Sequence, residues 1–555
     1  MALDMSAPEK DIFKTPDDAY DQNNHLGAEI GRKSGFGRSR FMNSNKPVGG
    51  RIGPVLSHLT ASDLSSDSGS DILGKQIEME ADNAIKYRTC SWQKTAALLF
   101  SEYICLAIMS FPYSYSVLGL VPGIILTVVV AALVLYTSLV LWEFCLRHPE
   151  VRDVTDIGQM LFWGKSWAWY ATAVMFILNN TFIQGLHVLV SAKYLNTITN
   201  HSQCTIVFAI IATIICWLCS LPRTFSMLSK LGTASAFFTF ISVLLAAIFA
   251  GIEAHPANYN PDPNYISPTG IHGGTPIVSA IPLRGTKFYS GLAACLNIVY
   301  TFVGQITLPS FIAEMKDPRD FPKALWTVTI AEIIVFSLVG AIVYAYTGNQ
   351  YNTAPAFGSL GNDVYKKVSF SFMIPTLIFL GVLYGSSSKP QVSAEYSWDV
   401  SLSRVDYTDL CYMNLASVSA RFVFFRLFEG TRHKSSHTVA GWASWASILL
   451  ATWILAFIIA EVIPFFSDLL SLMSSLFDSF FGFIFWAVAW YRMRKIDGTL
   501  WKKSYYNYFM ICLNIFIFLT GLFFLGAGTY ASVQSIIDSY AAGTTTGMNT
   551  AAHET

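Results

Sequence analysis

The chain has 555 residues, of which 53% are hydrophobic and 13% charged, with a mean hydropathy of +0.44. A soluble globular chain carries roughly 25% charged residues, so about half of the polar surface that water would require is missing, whereas lipid requires none. Lys+Arg and Asp+Glu balance at 36 each, which leaves no basic excess for a nucleic-acid partner.

Residues 1–90 are rich in Ser, Asp, Gly and Asn, with an acidic stretch from Asp63 to Asp82. They lack a periodic apolar face and cannot repay the entropy of folding. This predicts a disordered cytosolic tail, with regulatory partners as its functional reading. The opening MALDMSAPEKDIF lacks the basic start and apolar core of a cleavable signal peptide. The first span is therefore expected to act as its own insertion signal.

From Thr95 onward, apolar runs long enough to cross ~30 Å of hydrocarbon follow one another. They predict an all-α polytopic membrane protein with about eleven transmembrane helices. The expected spans are 95–117, 120–146, 167–195, 204–221, 231–252, 290–313, 324–347, 368–384, 442–464, 467–490 and 507–531. A transmembrane domain over 91–535 and a short C-terminal tail over 536–555 follow from these.

One set of alternate loops holds most of the basic residues, among them Arg147, Arg152, Lys165, Arg223, Lys316, Lys323, Arg432, Lys434, Arg494 and Lys503. The other set holds Lys193, Arg284, Lys287, Lys366 and Lys367. The positive-inside rule then places the N-terminus in the cytosol and, with an odd number of spans, the C-terminus outside. The sequon Asn200-His201-Ser202 falls in an outer loop, where glycosylation is permitted. Lys230 sits at the inner end of the fifth span, where its amine can snorkel to the cytosol or mimic a bound cation.

The segment Gly385 to Leu415 is polar and interrupts the eighth apolar run with Lys389, Pro390, Glu395, Asp399, Arg404, Asp406 and Asp409. Removing it would join its flanks into one helix of about 26 residues. The working hypothesis is a translated intron or splice variant; a clean transcript encoding it as the major form would refute that.

Seven cysteines (Cys105, Cys145, Cys204, Cys216, Cys219, Cys295 and Cys512) lie in or beside apolar runs, where a thiol is a small core residue. Cys216 and Cys219 form a CxxC with no second ligand pair, so no metal site and no cofactor are expected.

Two spans carry breakers. The first reads EYICLAIMSFPYSYSVLG, with Pro112 after Ser110; the sixth reads NIVYTFVGQITLPSFIAEM, with Gly304 and Pro309. A mid-span proline frees backbone groups that lipid cannot satisfy, so such a stretch must line protein or a cavity. Exposed helix ends offer N–H groups to a carboxylate and C=O groups to a cation, which suits an amino-acid zwitterion. The two spans are the first members of two five-span halves, the pattern of inverted-repeat transporters.

In the third span Asn180, Gln184, His187 and Ser191 share one helical face, which reads either as interhelical hydrogen bonding or as cavity lining. In the tenth, Asp468, Ser471, Ser475 and Asp478 also share a face. A carboxylate inside a span is costly and is a functional candidate by default. Glu102, Glu332 and Asp478 lie deepest and are the candidates for a coupling proton; Glu461 and Asp468 lie nearer an end. No Walker A, HExxH or GxSxG motif occurs, so the chain is not read as an enzyme.

The first-span AIMSFPYSYSVLGLVPG resembles the G-x-x-x-L-P-Y-A signature of the amino acid/auxin permease family. The sixth-span YTFVGQITLPSFIAEMKDPRDFPKAL resembles that family's F-x-G-x-x-x-x-P-x-x-x-E-M-K-x-P-x-x-F motif. Within the family, SKLGTASAFFTF, ARFVFFRLFEGTRHK and EVIPFFSDLLSLMSSLFDSFFGF resemble the fungal neutral amino acid permeases associated with methyltryptophan resistance. The resemblance covers roughly 85–535. It implies a leucine-transporter-like fold of inverted five-span repeats. It also implies proton-driven uptake of neutral and aromatic amino acids at the plasma membrane. Residues 385–415 have no counterpart in the family pattern.

The resulting expectation is a proton–amino acid symporter driven by the proton gradient. Met109, Ser110 and Phe111, with Thr301, Phe302, Gly304 and Gln305, hold the substrate's amino and carboxylate groups. Phe302, Asn180 and His187 shape the pocket for its side chain. The alternatives are a vacuolar exporter of the same family and an amino acid receptor that signals through the N-terminal tail.

Overall fold

The computed structural model describes residues 90–541, apart from 149–150, 152–153, 222–225, 263, 267–271, 379–422, 425–426 and 428–437. The N-terminal tail and the Gly385–Leu415 segment lie outside the described residues, as does the side chain of Lys230.

Helix α1 runs Trp92–Tyr103, and the Ser91 hydroxyl accepts from the Lys94 N–H at its start. The chain then leaves helical geometry at Ile104 and Cys105, makes a 3-10 turn over Leu106–Ser110, and resumes as α2, Phe111–Leu118. There follow α3 (Leu120–Arg147), α4 (Val154–Leu161), α5 (Ser166–Ile198), α6 (Thr205–Ser220) and α7 (Ser226–Ile252). A second interrupted pair comes next, α8 (Phe288–Phe302) and α9 (Leu308–Glu314). The remaining helices are α10 (Phe321–Thr347), α11 (Asp363–Ser371), α12 (Val439–Val462), α13 (Phe466–Ile496) and α14 (Tyr505–Ala541).

Among the described residues, six helices are long and apolar enough to cross a membrane: α3, α5, Pro318–Thr347, α12, α13 and α14. Shorter apolar helices accompany them at Leu106–Leu118, Thr205–Ser220, Phe237–Ile252 and Phe288–Phe302. Their outer faces are aliphatic. On α3, Ile125, Val128 and Val129 are exposed while Val130, Ala131, Val134 and Leu141 are buried; on α12, Ile454 and Ile458 are exposed beside buried Trp453 and Ala456. Lipid can cover such a face and water cannot, so the exposed residues mark the bilayer side.

Helix α10 packs against α1, α2, α3 and α7, and α8 packs against α2, α3, α13 and α14. Helix α5 packs against α4, α6 and α12. The two interrupted spans are therefore walled by α3 and α10.

Three elements differ from the sequence reading. The eighth span, expected over 368–384, begins earlier and is broken: Asn362 caps α11 through the Val364 and Tyr365 N–H groups, α11 ends at Ser371, helix resumes over 374–378, and 379–384 lie outside the described residues. The last span continues past 531 to Ala541 because Ser535 and Ser539 each donate to the Asp468 carboxylate at 2.7 Å and Tyr540 donates to the Val462 carbonyl. Within α13, Ser474–Ile484 is a π-helix, and it packs against a π turn at Phe524–Gly528 in α14. Apart from Asp478 both stretches are apolar or small in sequence, which a regular α-helix would satisfy equally well, so nothing in the pattern announces them.

Four charges link the ends of α3 and α13. Arg147 holds Asp497 through two bonds of 2.9 and 2.8 Å and Glu143 at 2.6 Å, and Arg494 closes the ring on Glu143 at 2.8 Å. The bidentate geometry suits a guanidinium that is only 2% exposed.

Candidate functional site

The two interruptions have the same construction. In the first, the Ile104 N–H still bonds to the Phe100 carbonyl, Cys105 is extended (φ −110°, ψ 177°), and Pro112 lies in the first turn of α2. In the second, Val303 turns away (φ −86°, ψ 100°), Thr307 bonds back to the Gly304 carbonyl through its N–H and its hydroxyl, and Pro309 lies in the first turn of α9. The prolines thus do not kink a continuous helix. They open the second half of each span, where a missing N–H costs nothing. The interruptions fall up to a turn or two earlier, at Ile104–Ser110 and Val303–Thr307.

Beyond the interruptions the two spans meet. The Cys90 N–H donates to the Glu314 carbonyl at 3.2 Å and the Lys316 N–H to the Cys90 carbonyl at 2.9 Å. The E-M-K-D-P motif is anchored here too: the Trp142 indole donates to the Pro318 carbonyl at 2.7 Å, and Asp317 caps the following turn at Arg319.

Each expected binding residue can now be placed. Met109, Ser110 and Phe111 are fully buried on the 3-10 turn and at the start of α2; the Ser110 hydroxyl is spent on the Ala107 carbonyl at 2.7 Å. Thr301 likewise bonds within its own helix, to the Ile298 carbonyl at 2.7 Å. Gln305 is fully buried; its Nε2 donates to Thr137 of α3 at 3.0 Å and its Oε1 has no partner. Phe111, Phe302 and Phe336 form an aromatic cluster with centroids 5.3–6.4 Å apart, so Phe302 turns toward α10 rather than toward α5. Gly304 faces Tyr103: a Cβ there would stand 2.0 Å from the Tyr103 Cε1. Tyr103 was not singled out in the sequence; a ring at a helix end beside a glycine on a distant segment leaves no local signature.

The polar face of α5 is buried and largely without partners. Both amide atoms of Gln184, Nδ2 of Asn180 and Nδ1 of His187 lack a hydrogen bond. These residues are 0%, 1% and 3% exposed, respectively.

The three deep carboxylates occupy different surroundings. Glu102 on α1 meets the Thr307 hydroxyl at the second interruption, and its Oε2 is unpaired. Glu332 on α10 has an unpaired Oε1, and Asp478, inside the π-helix of α13, an unpaired Oδ2. The face expected from Asp468 to Asp478 is divided by that π-helix: Asp468 is engaged by α14, and Asp478 is not. Among the described residues no group of His, Cys, Asp and Glu side chains is arranged to hold a metal ion.

Comparison with known proteins agrees with the sequence motifs. The family model described as transmembrane amino acid transporter protein matches residues 88–531. The chain is 30% identical over 476 residues to an N amino acid transport system protein of Neurospora crassa, covering 85% of this chain and 90% of that one. It is 27% identical over 496 residues to a transmembrane transporter of Gibberella moniliformis, covering 89% and 93%. Two solved structures are also similar. One is a nucleobase-cation-symport-1 family transporter with bromovinylhydantoin bound (TM-score 0.42, 14% identity, 84% of this chain and 95% of that chain). The other is MhsT in complex with L-phenylalanine (TM-score 0.42, 11% identity, 80% and 98%).

Proposed function

Because this chain belongs to the transmembrane amino acid transporter family, we propose that it carries neutral aliphatic and aromatic amino acids into the cell by proton-coupled symport. The observation that carries this reading is the pair of matched interruptions, Ile104–Ser110 and Val303–Thr307, in helices that both pack against α10 or α3. Backbone groups released there can hold the amino and carboxylate groups of a zwitterion. Met109, Ser110, Phe111, Thr301, Gly304 and Gln305 supply that backbone. The unpartnered face of Asn180, Gln184 and His187 supplies polar contacts for the rest of the substrate.

In this reading the chain completes about eleven spans in two inverted five-span halves at the plasma membrane. Its N-terminus is cytosolic and its C-terminus outside. The proton gradient drives transport without a cofactor, one of Glu102, Glu332 and Asp478 carries the proton, and the N-terminal tail binds regulatory partners.

The test is uptake of labelled neutral, acidic and basic amino acids into permease-deficient cells at acidic and neutral pH. Faster uptake of neutral and aromatic substrates at acidic pH is the expected result. No uptake by chain present at the cell surface would refute transport into the cell. The same assay on a chain lacking 385–415 would then show whether that segment is responsible.

A further inference from the structure

A small cavity with room for about one water molecule lies between the interrupted spans, α3 and α10, walled by Tyr103, Ser138, Phe302, Thr329 and Glu332 together with four aliphatic side chains of α3 and α10. Glu332 is 3% exposed, and its Oε1 has no hydrogen-bond partner. A carboxylate at that depth is costly unless it carries a proton or keeps a water beside it. The hydroxyls of Ser138 and Thr329 share the wall, so a water held there has the polar partners it needs.

The opposite wall is Tyr103, whose ring is seated on Gly304. The cavity is therefore one side chain removed from the second interruption. Glu102 and Asp478 do not line it. Glu102 meets the Thr307 hydroxyl and is placed to shape the interruption.

Titratable groups facing Glu332 are few. Cys105 stands near it from the first interrupted span, and Tyr103 lines the cavity itself. The cavity-lining residues of α3 and α8 carry no titratable side chain. On α2, Tyr115 faces Gly340, two turns along α10. On α7, Glu253 is engaged by the Gly361 and Asn362 N–H groups, and the Lys230 side chain lies outside the described residues.

We propose that Glu332 is the site of the coupling proton and that Tyr103 links its protonation to substrate at the second interruption. The assignment rests on the symport reading. In the step itself a hydronium in the cavity gives its proton to Glu332 Oε1 and is left as water, and the O–H bond so formed breaks when the proton passes to a water on the opposite side of the cycle, leaving as hydronium and restoring the carboxylate. Substrate held at Gly304 presses on Tyr103 and so on the cavity, which ties occupancy of one site to the charge at the other.

The experiment reconstitutes the full-length chain in proteoliposomes and follows labelled leucine in two regimes: accumulation under an inward proton gradient, and exchange at equal pH on both sides. E332Q is expected to lose gradient-driven accumulation by roughly tenfold or more, while its exchange remains measurable above protein-free vesicles. Accumulation by E332Q within about twofold of the parent chain overturns the assignment and leaves the symport reading standing. A parent chain that exchanges leucine but does not respond to the gradient overturns both. If E332Q neither exchanges nor accumulates, E332D decides. Gradient-driven accumulation with a displaced pH profile supports the assignment, and an undisplaced profile or no accumulation overturns it.

Discussion

The ring of Tyr103, at the end of α1, occupies the space into which a side chain at Gly304 would project, with its Cε1 2.0 Å from the position of a Cβ. Two segments some two hundred residues apart are thus fitted to each other where both spans lose helical geometry. Any residue larger than glycine at 304 must displace the ring.

Gly304→Leu is therefore expected to abolish amino acid uptake while leaving the chain at the cell surface. Labelled uptake beside surface biotinylation checks this. Uptake like that of the parent chain would mean that the fit between Tyr103 and Gly304 is not needed for transport.

Gln184→Leu separates the two roles open to the α5 face. Replacing a buried amide that has no partner with an aliphatic side chain of similar size is neutral or stabilising for the fold. If the face lines the substrate cavity, KM should rise by about tenfold with the melting temperature unchanged or higher. An unchanged KM with a lower melting temperature would assign the face to packing.

Arg147→Ala leaves the carboxylates of Asp497 and Glu143, each 13% exposed, without their main partner. Breaking a buried pair in this way costs about 3–5 kcal/mol. The expected outcome is a clearly lower melting temperature in detergent. Arg494→Ala, at a side chain 28% exposed, should lower it less.

Truncation tests the end of α14. Cutting after Ala541 removes no described contact, and stability should not change. Cutting after Gln534 removes both serine donors of Asp468 and the Tyr540 bond to Val462, at a cost of about 1–3 kcal/mol for each bond lost from the carboxylate. Equal melting temperatures for the two truncations would contradict the pairing.

Asn200 is exposed at the end of α5, in a turn with φ 54°. With the outward orientation proposed for that loop, Asn200→Gln should abolish an endoglycosidase-sensitive shift on gels. An identical mobility before and after the enzyme in the parent chain would count against the orientation.

The interruptions were legible because Pro112, Gly304 and Pro309 are strong breakers in otherwise apolar runs, although each break falls ahead of its proline, which sits in the first turn of the helix that follows. The α5 face was legible because polar residues repeated at helical spacing. The contents of the space between helices were not. Tyr103 against Gly304, the π-helix around Asp478 and the clasp of Asp468 by Ser535 and Ser539 each depend on segments far apart in the chain. The last is instructive: Ser535 and Ser539 lie beyond the last apolar run expected from the sequence, which ends at 531, yet they serve a carboxylate on another helix.

The short backbone pairing of Cys90 with Glu314 and Lys316 stitches the beginning of the first interrupted span to the end of the sixth. Main-chain bonds hold both strands of the stitch, so side-chain replacement at those positions leaves it intact. To move apart at that end, the two broken spans must first give up these two hydrogen bonds; while the bonds hold, displacement of one span is handed directly to the other.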